Sequence, residues 1–253
     1  MHDLVHELST SKLVVYTAIT GQYDAVLEPQ VIDVNCDYIC FTDSPPAAYH
    51  GVWQFRPIQN EDGLDPVRLA RRYKLLPHLL FPEYAFSIYV DGNLQIKASL
   101  REYLARCAGE RPMLCQRHPE RDCIYEEAIA VLHYRFDERD TVHDQIRRYR
   151  LEGFPSHFGL TCTNVLFRHH HDPAVVRLMN DWWAEVSAGS RRDQLSFSYV
   201  AWKNQFEYDK TSLSCYSNSF WTVIAHRGRR QIPLTLRQRL NFLYKNLSEL
   251  FEE

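Results

Sequence analysis

Two oxygen-bearing side chains, separated by one residue, follow an apolar segment in the first half of the chain. The segment covers residues 86–90, and Asp91, Gly92 and Asn93 come directly after it. Side chains at i and i+2 of extended backbone point the same way, so Asp91 and Asn93 can reach one hard cation such as Mn²⁺ or Mg²⁺. Such a site at the carboxyl end of a strand would hold a nucleotide diphosphate. Because Asp, Gly and Asn are also turn residues, an ordinary strand exit is the alternative.

The sequence around this motif alternates predicted strands and helices. Strands are expected at 13–18, 36–43, 86–91, 112–116, 159–167 and 221–224, and helices at 66–80, 99–107, 124–132, 141–150, 173–186 and 193–204. Asp65 and Asp172 each precede a proline and are expected to cap a helix, while Pro77 weakens the end of the first helix. The pattern predicts an α/β fold with a mixed, mostly parallel sheet flanked by helices. The strand, helix and strand between residues 86 and 116 suggest a right-handed parallel crossover.

Length and composition predict one domain over residues 1–253. The chain has 253 residues, of which 45% are hydrophobic, and a net charge of −3, which argues against general binding to nucleic acid or anionic membranes. No stretch approaches the ~20 apolar residues of a membrane span, so we expect a cytoplasmic protein. Residues 234–253 form a predicted amphipathic helix that could dock on the domain, pair with another chain or contact the inner membrane face as a peripheral anchor.

The cysteines and the triple histidine at 169–171 are not expected to carry the chemistry. The seven cysteines are odd in number and contain no Cys-x-x-Cys pair, so they are interpreted as buried thiols in a reducing compartment. The triple His169, His170 and His171 would alternate faces on extended backbone and cannot easily share one ion. We expect these histidines in an exposed loop before the helix at Pro173.

The run from Ala70 to Asp91 resembles the helix, loop and strand that precede the acidic metal motif of GT-A glycosyltransferases. It is most similar to retaining enzymes of the glycogenin and lipopolysaccharide-galactosyltransferase type. From Val14 to His226 the chain also resembles a glycosyltransferase-like domain family of bacteria and plants, with plant members linked to cell-wall polysaccharide. The resemblance implies a GT-A-like, Rossmann-like domain that transfers a sugar from a nucleotide-sugar donor, with UDP as the expected carrier and retention favoured.

Three further segments match this family in the expected order. The strand around Asn164 is similar to the one in which an asparagine meets the donor sugar, which implies a sugar contact for Asn164. The pair Asp193 and Gln194 is similar to an element beside the anomeric carbon, which implies catalytic roles, with Asp193 binding sugar hydroxyls and Gln194 near the reacting face. His226 matches the late histidine that supplies a third metal ligand beside Asp91 and Asn93.

The chain departs from the family pattern at two places. The first motif reads Asp-Gly-Asn rather than Asp-x-Asp, and an amide oxygen is a weaker ligand for Mn²⁺ or Mg²⁺ than a carboxylate. The late motif lacks its lysine-proline-tryptophan ending, which leaves Arg227, Arg229 and Arg230 as nearby cations. Arginine can bind a diphosphate bidentately, so a different residue could fill the role.

Sugar transfer requires charge stabilisation on the leaving phosphate, which a divalent ion and one or two basic side chains provide. The residues expected to bind the donor are Thr17, Ala18, Tyr23, Asp43, Arg71, Lys74, Asp91, Gly92, Asn164 and Arg229. A retaining reaction needs no strong base, whereas an inverting one would use a carboxylate, for which Asp193 and Glu127 are the candidates.

Each of these assignments has a structural alternative. Asp193 could cap a helix, and Asn164 could bond backbone at a strand edge. Arg71 and Lys74 could lie on an exposed helix face, and a lone histidine such as His226 is often a structural group.

Two other functional classes stay open beside transfer to a glycan or glycolipid. A hydrolase or other metal enzyme on the same scaffold would release product with water alone. A non-catalytic module would bind a nucleotide sugar or glycan without turnover, and Asn93 in place of a carboxylate keeps this class open.

Overall fold

The computed structural model describes residues 4–226, which form one seven-stranded sheet, one two-stranded sheet and eight helices. The strands are β1 Leu13–Ile19, β2 Cys36–Thr42, β3 Gln54–Pro57, β4 Phe86–Val90, β5 Leu94–Ile96, β6 Met113–Arg117, β7 Thr161–His169, β8 Asp209–Thr211 and β9 Trp221–Val223. The helices are α1 Leu4–Thr10, α2 Pro66–Leu75, α3 Pro77–Leu80, α4 Leu100–Cys107, α5 Ile124–His133, α6 Arg139–Leu151, α7 Pro173–Ala188 and α8 Asp193–Lys203. Arg229 and the helix predicted at 234–253 lie outside the described residues.

The large sheet has the strand order β3-β2-β1-β4-β7-β6-β8. Strand β7 runs antiparallel to both of its neighbours, and the other neighbouring pairs are parallel. This confirms the predicted α/β fold with a mixed, mostly parallel sheet. Strands β4 and β6 point the same way, but β7 lies between them, so the predicted crossover does not join adjacent strands.

Helices cover both faces of the sheet. Alternate residues of β1 enter two separate cores, with Tyr16 and Ala18 in one and Val15 and Ile19 in the other. Residues of α2 and of α5 to α8 belong to the first core, and residues of α1, α4, β5 and β9 belong to the second. The two-sided burial explains why the sheet's central strands are continuous apolar runs.

The strand order reverses direction between β1 and β4. From β1 the chain moves outward to β2 and β3 on one side, and it then returns to form β4 on the other side of β1. In open α/β sheets, ligands bind in the crevice outside the carboxyl ends of the strands at such a reversal. Asp91 follows β4 and residues 20–24 follow β1, so both segments border this crevice.

The two helices predicted to start at Asp-Pro do so. The Asp65 side chain accepts hydrogen bonds from the first turn of α2, and Asp172 does the same for α7. The helix predicted over 66–80 is divided, because Pro77 removes a backbone donor and restricts the residue before it. Helix α2 therefore ends at Leu75, and α3 is a separate short turn.

The elements that sequence analysis missed are short or polar. They are α1, β3, β5 and β8, and the three missed strands have three or four residues each. Residues 159–160, predicted as strand, precede β7, and Gly159 has a φ of +109°. Between residues 4 and 226, no helix is long and apolar enough to cross a membrane.

The prediction of an exposed loop is wrong for His169 and His170, whereas His171 is exposed in the turn before α7 as predicted. His169 is the last residue of β7, and His170 is fully buried. The Nε2 atoms of His170 and His171 each lie 3.1 Å from the carbonyl oxygen of Phe81, which can only accept a hydrogen bond. These two histidines therefore fasten the segment after α3 to the end of β7, a long-range contact that local sequence does not reveal.

Candidate active site

A buried cluster of charges lies beside the end of β4. Lys74 Nζ lies 2.6 Å from Asp193 Oδ2 and 3.5 Å from Asp91 Oδ1. Arg71 Nε lies 2.9 Å from Asp193 Oδ1, and Arg71 Nη1 lies 4.0 Å from Asp91 Oδ1. We call these four residues the charge cluster. The side chains of Lys74 and Asp193 are 1% and 3% exposed, so the exposed-helix alternative for Lys74 does not hold.

Helix α2 brings both cations to the cluster. Arg71 and Lys74 are three positions apart and therefore share one helix face, which packs towards the sheet. The hydroxyl of Tyr16 donates a 2.7 Å hydrogen bond to the carbonyl of Lys74, and Arg168 Nη1 donates a 2.9 Å bond to the same oxygen. Two core side chains thus fix the last turn of α2.

Asp193 is the first residue of α8, but its side chain does not cap that helix. Its Oδ2 accepts a 2.9 Å hydrogen bond from the Thr163 hydroxyl in addition to the contact with Lys74. Both carboxylate oxygens are therefore engaged by Thr163, Lys74 and Arg71, and the helix-cap alternative does not hold. Gln194 follows it as a half-buried residue.

The electrostatics of the cluster keep Asp193 ionised. Burial alone would raise the pKa of Asp193, but Arg71 and Lys74 hold that pKa well below its ordinary value. Burial lowers the pKa of Lys74, although Asp193 and Asp91 act in the opposite direction. The carboxylates of Asp193 and Asp91 outweigh burial at Arg71 and raise its pKa. The cluster therefore places the Arg71 guanidinium and the buried Lys74 amine beside Asp91.

The three residues predicted to bind a metal come partly together. The Asn93 amide nitrogen lies 3.3 Å from His226 Nε2 and donates a 2.8 Å bond to the carbonyl of Ile224. Asp91 stands two residues before Asn93, at the start of the same turn, where its carbonyl accepts from the Leu94 amide. Within residues 4–226, no three His, Cys, Asp or Glu side chains converge as metal ligands, because Asn93 supplies an amide where a carboxylate would stand.

Asp24 is a functional candidate that sequence analysis missed. Its Oδ2 lies 2.8 Å from His226 Nδ1, and its side chain is 9% exposed. The ring of Tyr23 lies 4.8 Å from the His226 ring, measured between centroids. A carboxylate that accepts from one imidazole nitrogen leaves the other nitrogen with a lone pair, the arrangement usual at metal-binding histidines. Only its position after β1, in the loop with Gly21 and Tyr23, could have suggested Asp24.

Gly92 is required by close packing inside this turn. A Cβ atom at position 92 would lie 2.7 Å from Ile19 Cγ1, which is closer than such atoms approach in proteins. The absence of a side chain therefore lets the end of β1 approach the Asp91–Asn93 turn. This contact joins the two chain segments that border the crevice.

A cavity of about 250 Å³ opens beside Asp24, at the carboxyl ends of β1, β2 and β3. Its lining includes Ile19, Asp24, Val26, Cys40, Thr42 and Tyr49. Thr17 and Asp43, which were predicted to bind the donor, are not part of this lining. The Thr17 hydroxyl is buried and has no hydrogen-bond partner in the described part of the chain, and Asp43 accepts a 2.8 Å bond from the Gly21 amide. Ala18 is buried in the core.

Asn164 faces the same region from β7. Its backbone carbonyl accepts a 2.9 Å bond from the Asp91 amide, and its side-chain nitrogen donates a 2.7 Å bond to the carbonyl of Cys215. Its Oδ1 is buried and has no hydrogen-bond partner among residues 4–226. The fold thus leaves one buried acceptor oxygen unsatisfied in the residue whose backbone pairs with Asp91.

Glu127, the other carboxylate considered as a base, forms an ion pair outside the charge cluster. Its Oε2 accepts a 2.9 Å bond from Arg121 Nε, and the Glu127 side chain is 4% exposed. The ring nitrogen His118 Nδ1 accepts from the backbone amides of Glu120 and Arg121, which fixes the start of this segment. Glu127 is therefore committed to an ion pair in the folded protein.

The chain is similar to two curated proteins of Arabidopsis thaliana. It is 24% identical to the probable hexosyltransferase MUCI70 over 258 residues, which cover 90% of this chain and 44% of that protein. It is 24% identical to the alkaline ceramidase TOD1 over 227 residues, which cover 77% of this chain and 49% of that protein. The chain thus spans about half the length of these relatives.

Among solved structures, the fold is similar to mouse xyloside xylosyltransferase 1 in its apo form, with a TM-score of 0.45 and 12% identity over 81% of this chain and 85% of that one. The sequence model of the TOD1/MUCI70 glycosyltransferase-like domain matches residues 42–227. This match includes Arg71, Lys74, Asp91, Asn164 and Asp193, and it covers well over half of the chain. The chain belongs to the TOD1/MUCI70 glycosyltransferase-like domain family.

Proposed function

We propose that this protein is a glycosyltransferase that moves a sugar from a nucleotide diphosphate donor, with UDP as the carrier, to a glycan or glycolipid. The observation that carries the proposal is the charge cluster, in which Arg71 and Lys74 face Asp91 at the carboxyl end of β4. A crevice at the reversal of strand order, lined by buried cations, suits a diphosphate. Family membership supports the reaction class.

The proposed metal ligands are Asp91, Asn93 and His226. Oxygen and imidazole donors suit Mn²⁺ or Mg²⁺, and Asp24 holds Nδ1 of the His226 ring, which leaves Nε2 as the ligand atom. Nε2 lies 3.3 Å from the Asn93 amide nitrogen, so the Asn93 amide would turn to present its oxygen to the same ion. When bound, the ion would neutralise charge on the leaving diphosphate. The residues therefore fit such an ion, with one amide in place of a carboxylate.

The basic side chains have a role that does not depend on the metal. Lys74 and Arg71 are held by Asp193 and are positioned before any donor arrives, so little reorganisation is needed to stabilise a leaving phosphate. The Oδ1 of Asn164 is buried without a hydrogen-bond partner in the described part of the chain, and we assign it to a sugar hydroxyl that would reach it when the donor binds. This arrangement would orient the donor across the end of β4.

The state of the carboxylates favours retention over inversion. Asp193 binds two cations and a hydroxyl, and its pKa is held well below the ordinary value, so it is a poor proton acceptor. Glu127 is paired with Arg121. An inverting transfer needs a carboxylate base at the acceptor, whereas in a retaining transfer the leaving phosphate can accept the proton.

A second candidate function is metal-assisted hydrolysis. The relative named an alkaline ceramidase matches 77% of this chain, which is the observation that favours it. The same Asp91, Asn93 and His226 ligands would then activate water instead of neutralising a leaving phosphate. Transfer and hydrolysis differ in their products and can be separated by one assay.

The test is a product assay on the whole chain with Mn²⁺. UDP-hexoses and UDP-xylose are supplied with p-nitrophenyl glycosides as acceptors, and a fluorescent ceramide is supplied in a parallel reaction. The proposal predicts acceptor-dependent UDP release, lost in Lys74→Met and kept in Lys12→Met, whose side chain is 54% exposed. Fatty-acid release from the ceramide without any UDP release would establish the hydrolase instead.

A further inference from the structure

Two buried cysteines meet beside the candidate active site. Cys162 in β7 and Cys215 in the segment between β8 and β9 are 5% and 1% exposed. Their sulfur atoms lie 2.7 Å apart. Carbon atoms, which are smaller than sulfur, make contact at about 3.5–4.0 Å, so this separation is too short for two relaxed thiols. A disulfide bond would shorten it to about 2.0 Å.

The backbone at Cys215 is held next to β7 by contacts that do not involve sulfur. Cys162 and Asn164 are two positions apart in β7 and therefore lie on the same face of the strand. The Asn164 side chain donates a 2.7 Å bond to the carbonyl of Cys215, and Trp221 Nε1 donates a 3.2 Å bond to the same oxygen. The closeness of the two sulfur atoms thus follows from the fold around them.

We propose that Cys162 and Cys215 are a disulfide site that cross-links β7 to the segment after β8. The bond would close a loop between residues 53 positions apart, which contains α7 and α8. It would also fix the carbonyl that positions the Asn164 side chain. This inference does not rest on the proposed glycosyltransferase activity.

The chemistry needs an oxidant, and a small-molecule disulfide such as oxidised glutathione supplies it. Either cysteine, once deprotonated, can attack first, and the steps are given for the Cys215 thiolate. Its attack breaks the glutathione disulfide, forms a mixed disulfide and releases one glutathione. Cys162 then loses its proton, attacks the Cys215 sulfur and releases the second glutathione. Two thiols are oxidised, and one glutathione disulfide is reduced to two thiols.

The test equilibrates the whole protein in reduced or oxidised glutathione with a catalytic amount of disulfide isomerase, so that burial does not limit the exchange. After alkylation under denaturing conditions, peptide mass spectrometry should show one Cys162–Cys215 disulfide, with a mass lower by two hydrogen atoms than that of the two free thiols. The Tm of the oxidised protein should exceed that of the reduced protein by on the order of 5–10 °C. Cys162→Ser should abolish both changes, whereas the control Cys40→Ser should keep both.

Two outcomes would overturn the proposal. One is that both cysteines remain fully alkylated after equilibration in oxidised glutathione. The other is a cross-link or a glutathione adduct at different cysteines, such as the half-buried Cys36 and Cys107, with Cys162 and Cys215 still free.

Discussion

At the scale of single residues, the structure changes the interpretation of Asp193 most. The sequence suggested a helix cap, a ligand for sugar hydroxyls or a carboxylate base, and the structure excludes the cap because Asp193 contacts Arg71, Lys74 and Thr163. Those contacts join residues 30 to 122 positions apart, so no local pattern could reveal them. Asp91 and Lys74, in contrast, were predictable, because they belong to one continuous helix, loop and strand.

Asp24 is expected to control metal binding through His226. Asp24→Asn keeps the size of the side chain but weakens the acceptor for His226 Nδ1, so the affinity for Mn²⁺ should fall about 10–100-fold. Calorimetric titration of Mn²⁺ without nucleotide measures this loss, and Asp144→Asn, at a side chain that is 82% exposed, is the control. Nitrogen NMR of the His226 ring gives a readout without metal, because the wild type should carry its proton on Nδ1. Equal Mn²⁺ affinity and an unchanged ring tautomer in Asp24→Asn would contradict this role.

His170 is expected to make the protein less stable in acid. Burial lowers the pKa of His170 from 6.5 to about 3, so the folded state binds fewer protons than the unfolded state between these values. Its contribution to the free energy of unfolding is complete above pH 6.5 and is lost as the pH falls, by about 1.4 kcal/mol per pH unit.

Urea unfolding between pH 7 and pH 5 tests this expectation. The slope of stability against pH should be shallower in His170→Gln than in the wild type, by up to about 2 kcal/mol over this range. The control His143→Gln, at a side chain that is 43% exposed, should leave the slope unchanged. A wild-type slope retained in His170→Gln would show that other groups cause it.

At the scale of secondary-structure elements, strong local sequence patterns were sufficient to predict the long helices and the central strands. The Asp-Pro starts of α2 and α7 were predicted because capping is a local interaction. Short strands such as β5 and β8 were missed, since three residues carry no periodicity and are fixed only by their partners β9 and β6. The pairing of β7 between β4 and β6 likewise depends on contacts that sequence alone does not specify.

The position of helix α2 is expected to depend on Tyr16 and Arg168. Burial raises the pKa of Tyr16 to about 12, so its neutral hydroxyl donates to the Lys74 carbonyl and accepts a 2.5 Å bond from Arg168 Nη2. Tyr16→Phe removes both interactions and leaves Arg168 Nη2 buried without this partner, while the Lys74 carbonyl keeps its bond from Arg168 Nη1. The variant should therefore lose about 1–3 kcal/mol in urea unfolding.

The double variant Tyr16→Phe, Arg168→Met separates this effect from simple loss of packing. Arg168 is fully buried, and the variant removes the cation that Tyr16→Phe would leave poorly satisfied. The double variant should therefore lose less unfolding free energy than the two single variants lose in sum. Strict additivity of the two single changes would contradict a coupled Tyr16, Arg168 and Lys74 network.

At the scale of the whole molecule, the candidate site is assembled from segments that are far apart in sequence. Asp24 and His226 are 202 positions apart, and Asn164 reaches Cys215 over 51 positions. The sequence predicted the site's location at the strand ends because that rule belongs to the fold class. It could not predict which loop brings which side chain to the site. Donor binding by Arg229 and the helix at 234–253 stay predictions.

The central claim, a metal-dependent UDP site built on Asp91, is tested most directly by calorimetric titration of UDP. The titration is made with Mn²⁺ and with EDTA, on the wild type, on Asp91→Ala and on the exposed control Asp144→Ala. We expect UDP to bind the wild type and the control only with Mn²⁺, and Asp91→Ala to lose at least about tenfold in affinity, or about 1.4 kcal/mol. UDP binding that survives both EDTA and Asp91→Ala, or no UDP binding to the wild type under either condition, would contradict the account.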